Sequence, residues 1–235
     1  MTEPAISESL ATARQRLTDA LAEAGRPVAD ARLLAVSKTK PAAMIREAWH
    51  LGQRDFGESY VQEALDKQAA LADLEGIAWH FIGPLQSNKT REVAEHFAWV
   101  HSVDRVKIAR RLNDQRPAAL EPLNICLQVN ISAEASKSGV SLAELPTLAE
   151  AILDMPRLRL RGLMAIPAPA QGRTAQRAPM ARLREALEEL RKRFPDAPLD
   201  TLSMGMSDDL EAAVLEGATL VRLGTAIFGA RQRHD

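Results

Sequence analysis

Apolar positions along the chain gather into short, nearly continuous runs, and longer stretches with helical spacing lie between them. The runs cover 31–37, 54–56, 77–82, 98–101, 122–131, 158–164, 200–203 and 219–223, of which 122–131 is the longest. They lack the strict alternation of half-buried strands, so each is expected to be covered on both faces, as in a parallel sheet flanked by helices. The stretches between supply those helices: 41–51, a helix opened by the capping-box spacing of Ser59 and Gln62, 89–97, a helix capped by Asp104 and running to 115, 142–153, 180–194 and 208–216. Leu10, Leu17 and Leu21 predict one further amphipathic helix over 7–24, stopped by Gly25 and Pro27.

Eight strand-and-helix repeats predict an α/β chain folded as a (β/α)8 barrel, one domain spanning 1–235 with residues 1–28 packed on it as an added N-terminal helix. An open doubly wound sheet is the alternative. It fits less well because the first strand-to-helix turn, Ser37 to Pro41, contains no glycine and so no dinucleotide fingerprint.

Composition narrows the function classes. With 46% hydrophobic residues in 235, one large core is affordable; with a net charge of -1 and one tyrosine, neither nucleic acid nor an anionic membrane is an expected partner. The single cysteine, Cys126, lies in an apolar run and reads as an inert core thiol, which rules out a disulfide within the chain. The N-terminal stretch has mixed charge and no run of about 18 apolar residues occurs, so a soluble, cytoplasmic protein is expected. His50, His96 and His101 show no metal-ligand spacing and read as packing or surface residues, and Asp208 and Asp209 suit a helix start.

Candidate chemistry begins at Lys38, which follows the apolar run Leu33 to Ser37 directly. Either its amine snorkels to water, or it points inward and is desolvated, which would lower its pKa and make it a nucleophile for carbonyls. Barrels work at the carboxyl ends of their strands, where Lys38 falls, and their phosphate sites form after strands seven and eight. Those loops read Ser203 to Asp209 and Gly224 to Ala226: Ser207 caps the following helix and offers a hydroxyl, Gly224 permits close approach, and Thr225 adds a second hydroxyl. Arg222 interrupts an apolar strand and must donate hydrogen bonds, either to a carboxylate such as Asp208 or Glu211 or to a ring nitrogen of a ligand. An amine, a phosphate cradle and a donor to a ring nitrogen together describe a pyridoxal phosphate site.

The blocks Leu34 to Pro41, Phe56 to Glu63, Trp79 to Lys89, Ser136 to Gly139, Gly162 to Met164, Gly205 to Asp209 and Val221 to Gly229 closely resemble the pyridoxal phosphate homeostasis protein family, over essentially the whole chain. The resemblance implies the barrel half of alanine racemase without its second domain, and no established catalytic reaction. It implies that Lys38 forms the internal aldimine, that Arg222 faces the pyridine nitrogen and that Ser207, Gly224 and Thr225 hold the phosphate of pyridoxal 5'-phosphate. Val36, His80, Met164, Met204 and Gly205 would line the ring pocket. Ser59 stands where the family commonly has an asparagine near the cofactor, so it serves there as a shorter contact or only as a helix cap.

An arginine at the pyridine nitrogen leaves the ring a poor electron sink, and the second acid/base that racemisation needs is a tyrosine of the absent domain in barrel racemases; the one tyrosine here, Tyr60, starts a helix. The expected function is therefore storage and delivery of pyridoxal phosphate, with apo-enzymes as candidate recipients and a monomeric state. Lys40, Lys89 and Lys137 are transfer candidates, but each reads better as a solvated surface lysine. The alternatives are a weak amino-acid racemase and a phosphosugar barrel enzyme.

Overall fold

The computed structural model describes residues 2–135 and 138–231. Eight parallel strands close a barrel in sequence order: β1 Arg32–Val36, β2 Asp55–Glu58, β3 Ala78–Phe81, β4 Trp99–Val103, β5 Leu123–Gln128, β6 Leu158–Met164, β7 Thr201–Ser203 and β8 Leu220–Leu223. Closure runs through β1 and β8, with Leu33 opposite Val221 and Leu34 opposite Arg222. The helices are α1 Ile6–Glu23, α2 Ala42–His50, α3 Val61–Ala70, α4 Thr90–His96, α5 Val106–Gln115, α6 Leu145–Leu153, α7 Arg173–Arg193, α8 Leu210–Leu215 and the single turn α9 Thr225–Phe228.

Alternation along the strands divides the side chains between two layers. Leu33, Ala35, Phe56, Phe81, Val221 and Leu223 join the apolar layer under the helices. Trp99, Cys126 and Met164 form a second, smaller cluster. The barrel base is closed by cations on an indole: Arg161 lies 4.7 Å and Arg32 5.8 Å from the Trp99 ring centroid. Arg161 is held by Asp200 at 2.7 Å and Asn124 at 2.9 Å, and Arg32 by Asp55 at 3.1 Å. No helix among the described residues is long and apolar enough to cross a membrane.

Helix α1 packs on α8 and α9, beside the mouth rather than apart from it. Its Arg16 donates to the Ser207 carbonyl at 2.6 Å and to both oxygens of Glu211 at 2.8 Å.

Several expected boundaries shift for local reasons. The longest strand is β6, with seven residues against six in β5, because the chain leaves the β5 ladder after Gln128 and makes only an isolated bridge from Val129 to Val140. Helix α7 starts at Arg173, not 180, and carries Pro179 inside it; burying Met180, Leu183, Leu187 and Leu190 outweighs one lost hydrogen bond. Asp104 does not cap α5, where Arg105 takes the cap position, because its carboxylate accepts from Gly139 N–H at 3.0 Å. The capping box at Ser59 is out of register by one: Tyr60 is at the N-cap of α3, and Gln62 donates to Asp66 instead. Ser207 is likewise not a cap, since α8 begins at Leu210 with Asp209 before it.

Candidate functional site at the barrel mouth

Lys38 lies in the turn directly after β1, half-buried. Its amine makes no hydrogen bond or ion pair with any described residue, and its pKa is lowered, first by burial and then by the nearby positive charge of Arg231, against the opposing pull of Glu58. More of this amine is therefore uncharged at neutral pH than on a solvated lysine, which is the form that attacks a carbonyl.

The backbone on either side of Lys38 is gripped by one buried cluster. Lys67 of α3 donates to the Ser37 carbonyl at 2.8 Å, to Glu58 at 2.5 Å and to Glu63 at 2.6 Å. The same Glu63 oxygen accepts from Thr39 N–H at 2.5 Å, and Thr39 is held at φ 66°, a left-handed conformation that a β-branched residue rarely adopts. Glu58 is 1% exposed, its second oxygen has no hydrogen-bond partner, and burial pushes its pKa up to about 7 despite Lys67. Lys40, expected among the solvated lysines, is buried and donates to the Ala230 carbonyl at 2.6 Å, tying the β1 turn to the C-terminal segment. Lys89 is half-buried, and Lys137 lies outside the described residues.

Arg222 enters the interior from β8. It donates to Ser203 Oγ at 2.6 Å and to the Ala165 carbonyl at 3.0 Å. Neither expected carboxylate is its partner: Glu211 is taken by Arg16, and Asp208 makes no hydrogen bond or ion pair to Arg222, while Asp209, close enough to act on it through charge alone, accepts from Met206 N–H. Among the described residues, Arg222 has no ion pair. Its desolvation is severe enough to bring its pKa down to about 10, so the guanidinium stays charged at neutral pH with only neutral acceptors in contact.

The loops after β7 and β8 complete the mouth. Gly205 has φ 101°, and a Cβ there would come within 2.6 Å of Ala213 Cβ, so only glycine fits. A Cβ on Gly224 would lie 3.3 Å from the Val36 carbonyl oxygen, crowding the end of β1. Thr225, at the first turn of α9, is exposed, and Ser207 is half-buried.

The alanine racemase N-terminal domain model matches residues 10–232. A pyridoxal phosphate homeostasis protein of Pseudomonas aeruginosa is 65% identical over 226 residues, covering 96% of each chain, and one of Escherichia coli K12 is 56% identical over 228 residues, covering 96% of this chain and 97% of the other. The chain belongs to the pyridoxal phosphate homeostasis protein family. Among solved structures, PipY of Synechococcus elongatus PCC7942, with pyridoxal phosphate bound, is similar at a TM-score of 0.85 and 40% identity over 96% of this chain and all of that one. Alanine racemase from Corynebacterium glutamicum, at 18% identity and a TM-score of 0.69 over 95% of this chain and 62% of that one, shares the fold.

For a member of the pyridoxal phosphate homeostasis family, the donor set fits the cofactor's chemistry: a free amine whose pKa is lowered by burial, a buried guanidinium with no carboxylate in contact, and a close approach of the chain that Gly224 permits. Lys38, Val36, Ser59, Ser207, Gly224 and Thr225 all present surface at the carboxyl ends of the strands, and Arg222 lies just beneath. Ser59 packs its backbone against Gly83, where a Cβ would fall 2.6 Å from the Ser59 carbonyl. Met164, Met204 and His80 expose nothing; Met164 lies with Trp99 and Cys126, and Met204 lies in the apolar layer under the helices. His80 is bonded on both ring nitrogens, to His101 and to Asp55, each at 2.8 Å.

Sequence reasoning missed Lys67, Glu58 and Glu63, which grip the Lys38 turn, and Asp55, His101 and Ser203, which line the interior. For the strand residues among them a signal was present, a polar residue in a strand that otherwise reads as apolar, as in Val100-His101, whereas Glu63 and Lys67 of α3 read as an ordinary helical ion pair.

Proposed function

We propose that this chain binds pyridoxal 5'-phosphate covalently through Lys38 Nζ and serves as a cellular store and donor of the cofactor rather than as a catalyst. The observation that carries the reading is the pairing of two desolvated cations, one with an amine free to bond and one with no carboxylate in contact. PipY, similar over its whole length, has a structure with pyridoxal phosphate bound, which supports the same ligand here. When bound, pyridoxal phosphate supplies an aldehyde carbon that accepts amines and a ring able to take up electron density.

The residues divide the work. Lys38 offers the neutral amine, and Lys67 with Glu63 fixes the turn that aims it. Arg222 donates to the ring nitrogen; with a pKa of about 10 it keeps its own proton at neutral pH. Ser207, Gly224 and Thr225 receive the phosphate, with Val36 and Ser59 at the rim and Gly205 in the loop beneath, whereas Met164, Met204 and His80 are wholly buried away from the mouth. Catalysis on an amino acid would need a second acid/base facing Lys38, and the single tyrosine, Tyr60, is 53% exposed on the rim. The homeostasis names of the similar chains agree with a holding role.

Borohydride reduction of the protein mixed with pyridoxal phosphate, followed by peptide mapping, tests the site. A pyridoxyl group on Lys38 is expected; a label confined to other lysines overturns the assignment. Exchange of the alanine α-proton in heavy water, lost in Lys38→Ala, would move the reading from holder to weak racemase.

A further inference from the structure

The barrel axis holds an unbroken run of hydrogen bonds from base to mouth. Asp55 Oδ1 is 2.8 Å from His80 Nε2, His80 Nδ1 is 2.8 Å from His101 Nε2, His101 Nδ1 is 2.7 Å from Ser203 Oγ, and Ser203 Oγ accepts from Arg222 at 2.6 Å. His80, His101 and Ser203 are wholly buried. At the base the run meets solvent, because Asp55 and Arg32 line a cleft of about 370 Å3 together with Arg14 and Gln53. His80 is stacked on Trp99, with ring centroids 5.3 Å apart and planes 11° from parallel, so its ring cannot turn freely.

We propose that Asp55, His80, His101 and Ser203 act as a positioning relay that fixes Arg222 toward the ligand and lends the buried guanidinium the negative charge of a carboxylate it never touches. The inference rests on the reading of Arg222 as the donor to the cofactor ring.

Counting protons fixes the direction of the run. Arg222 can only donate, so Ser203 Oγ accepts and sends its own hydrogen to His101 Nδ1. His101 then carries its hydrogen on Nε2 and donates to His80 Nδ1, and His80 donates from Nε2 to the Asp55 carboxylate. Every hydrogen and every acceptor is used, and both rings are neutral. The opposite direction would require an extra proton on His80 and would leave the Ser203 hydroxyl hydrogen without an acceptor. Burial opposes that extra charge, lowering the pKa of both rings, whereas Asp55 is held ionised by His80 and Arg32 against its own desolvation. Aligned donors of this kind polarise one another, so the carboxylate charge is felt at Ser203 Oγ. Asp55, His80, His101 and Ser203 are positioning residues: none of them reaches the mouth.

Long-range nitrogen–proton NMR of the full chain without ligand reads the ring tautomers directly. Neutral His80 and His101, each with hydrogen on Nε2, are expected; hydrogen on Nδ1 of either ring, or an imidazolium, overturns the relay. The second measurement titrates pyridoxal phosphate into wild type, Asp55→Asn, Ser203→Ala and Ser203→Thr, following the visible absorption maximum and Kd, with circular dichroism as the check on folding. Ser203→Ala is expected to shift the maximum and weaken binding about tenfold, Asp55→Asn to do so by less, since it keeps the acceptor and removes the charge, and Ser203→Thr to restore wild-type behaviour. Unchanged maxima and Kd in folded Asp55→Asn and Ser203→Ala overturn the coupling to the site. If wild type itself gives no visible band, the cofactor reading has failed and the tautomers alone decide the relay.

Discussion

Lys38 and Arg222 are both cations desolvated at one end of the same barrel, and the protein treats them in opposite ways. Around Lys38 the charged groups bind the backbone of the turn and leave the amine alone: Lys67, Glu58 and Glu63 hold Ser37 and Thr39. Around Arg222 the neutral groups bind the side chain itself. Desolvation has a use in each case because the two cations start from different pKa values. A lysine so treated yields a reactive amine, whereas an arginine remains a fixed donor even after its pKa falls to about 10. The contrast suits a site that must bond a ligand at one point and only orient it at another.

Replacing Lys38 by arginine breaks the contrast most severely. Lys38→Arg keeps the charge and length but cannot lose its proton, so borohydride fixation of pyridoxal phosphate at position 38 should vanish entirely while the thermal midpoint stays near wild type. Persistent labelling of that peptide would show that deprotonation of residue 38 is irrelevant. Next in size is Lys67→Met, which strips the buried Glu58 of its partner. A loss of about 3 kcal/mol is expected in urea unfolding at pH 7.5, and a smaller one at pH 5, where Glu58 takes up a proton. Equal losses at both pH values would mean that the Glu58 charge does not set the cost.

The two regions also differ in the sign of their pH dependence. Glu58 is pushed from 4.5 in an open chain to about 7 in the fold, so between those values the native state binds more protons and stability falls as pH rises. His80 and His101 are pushed below 6.5, so below that value the unfolded chain binds more protons and stability falls as pH drops. From pH 4.5 to 6.5 the slopes oppose each other. Glu58→Gln removes the first, and the urea midpoint should then decline more steeply on acidification than in wild type; parallel curves would refute the opposition. The smallest effect is expected from Arg222→Met. Two hydrogen bonds are lost, but a buried charge without an ion pair goes with them, so stability should change by less than about 1 kcal/mol while pyridoxal phosphate binding weakens. A large destabilisation would mean that Arg222 is held for the fold.

The barrel was legible because near-continuous apolar runs at eight positions leave few alternatives, and Lys38 and Arg222 because each breaks such a run. Cap positions were misread at Ser59, Asp104 and Ser207, where a capping residue type stands one or more positions outside the true cap. Asp104 shows why: a side chain that can cap can also bond a distant loop, and only the tertiary structure decides. The Lys67 cluster and the linkage between the axial histidines escaped notice for a related reason. Each member looks ordinary in its own segment, and the meaning lies in contacts between segments, such as those 21 positions apart from His80 to His101 and 102 apart from His101 to Ser203.

Arg16 gives the added helix α1 a role in affinity. One guanidinium of that helix holds both the carbonyl of Ser207 and the carboxylate of Glu211, so a helix that contributes nothing to the barrel wall acts as a splint for the loop proposed to receive the phosphate. Where evolution or an engineer trims this chain from its front, the expected penalty is faster loss of the phosphate end of the ligand from an intact barrel, and Arg16→Ala alone should reproduce that leak in dissociation kinetics.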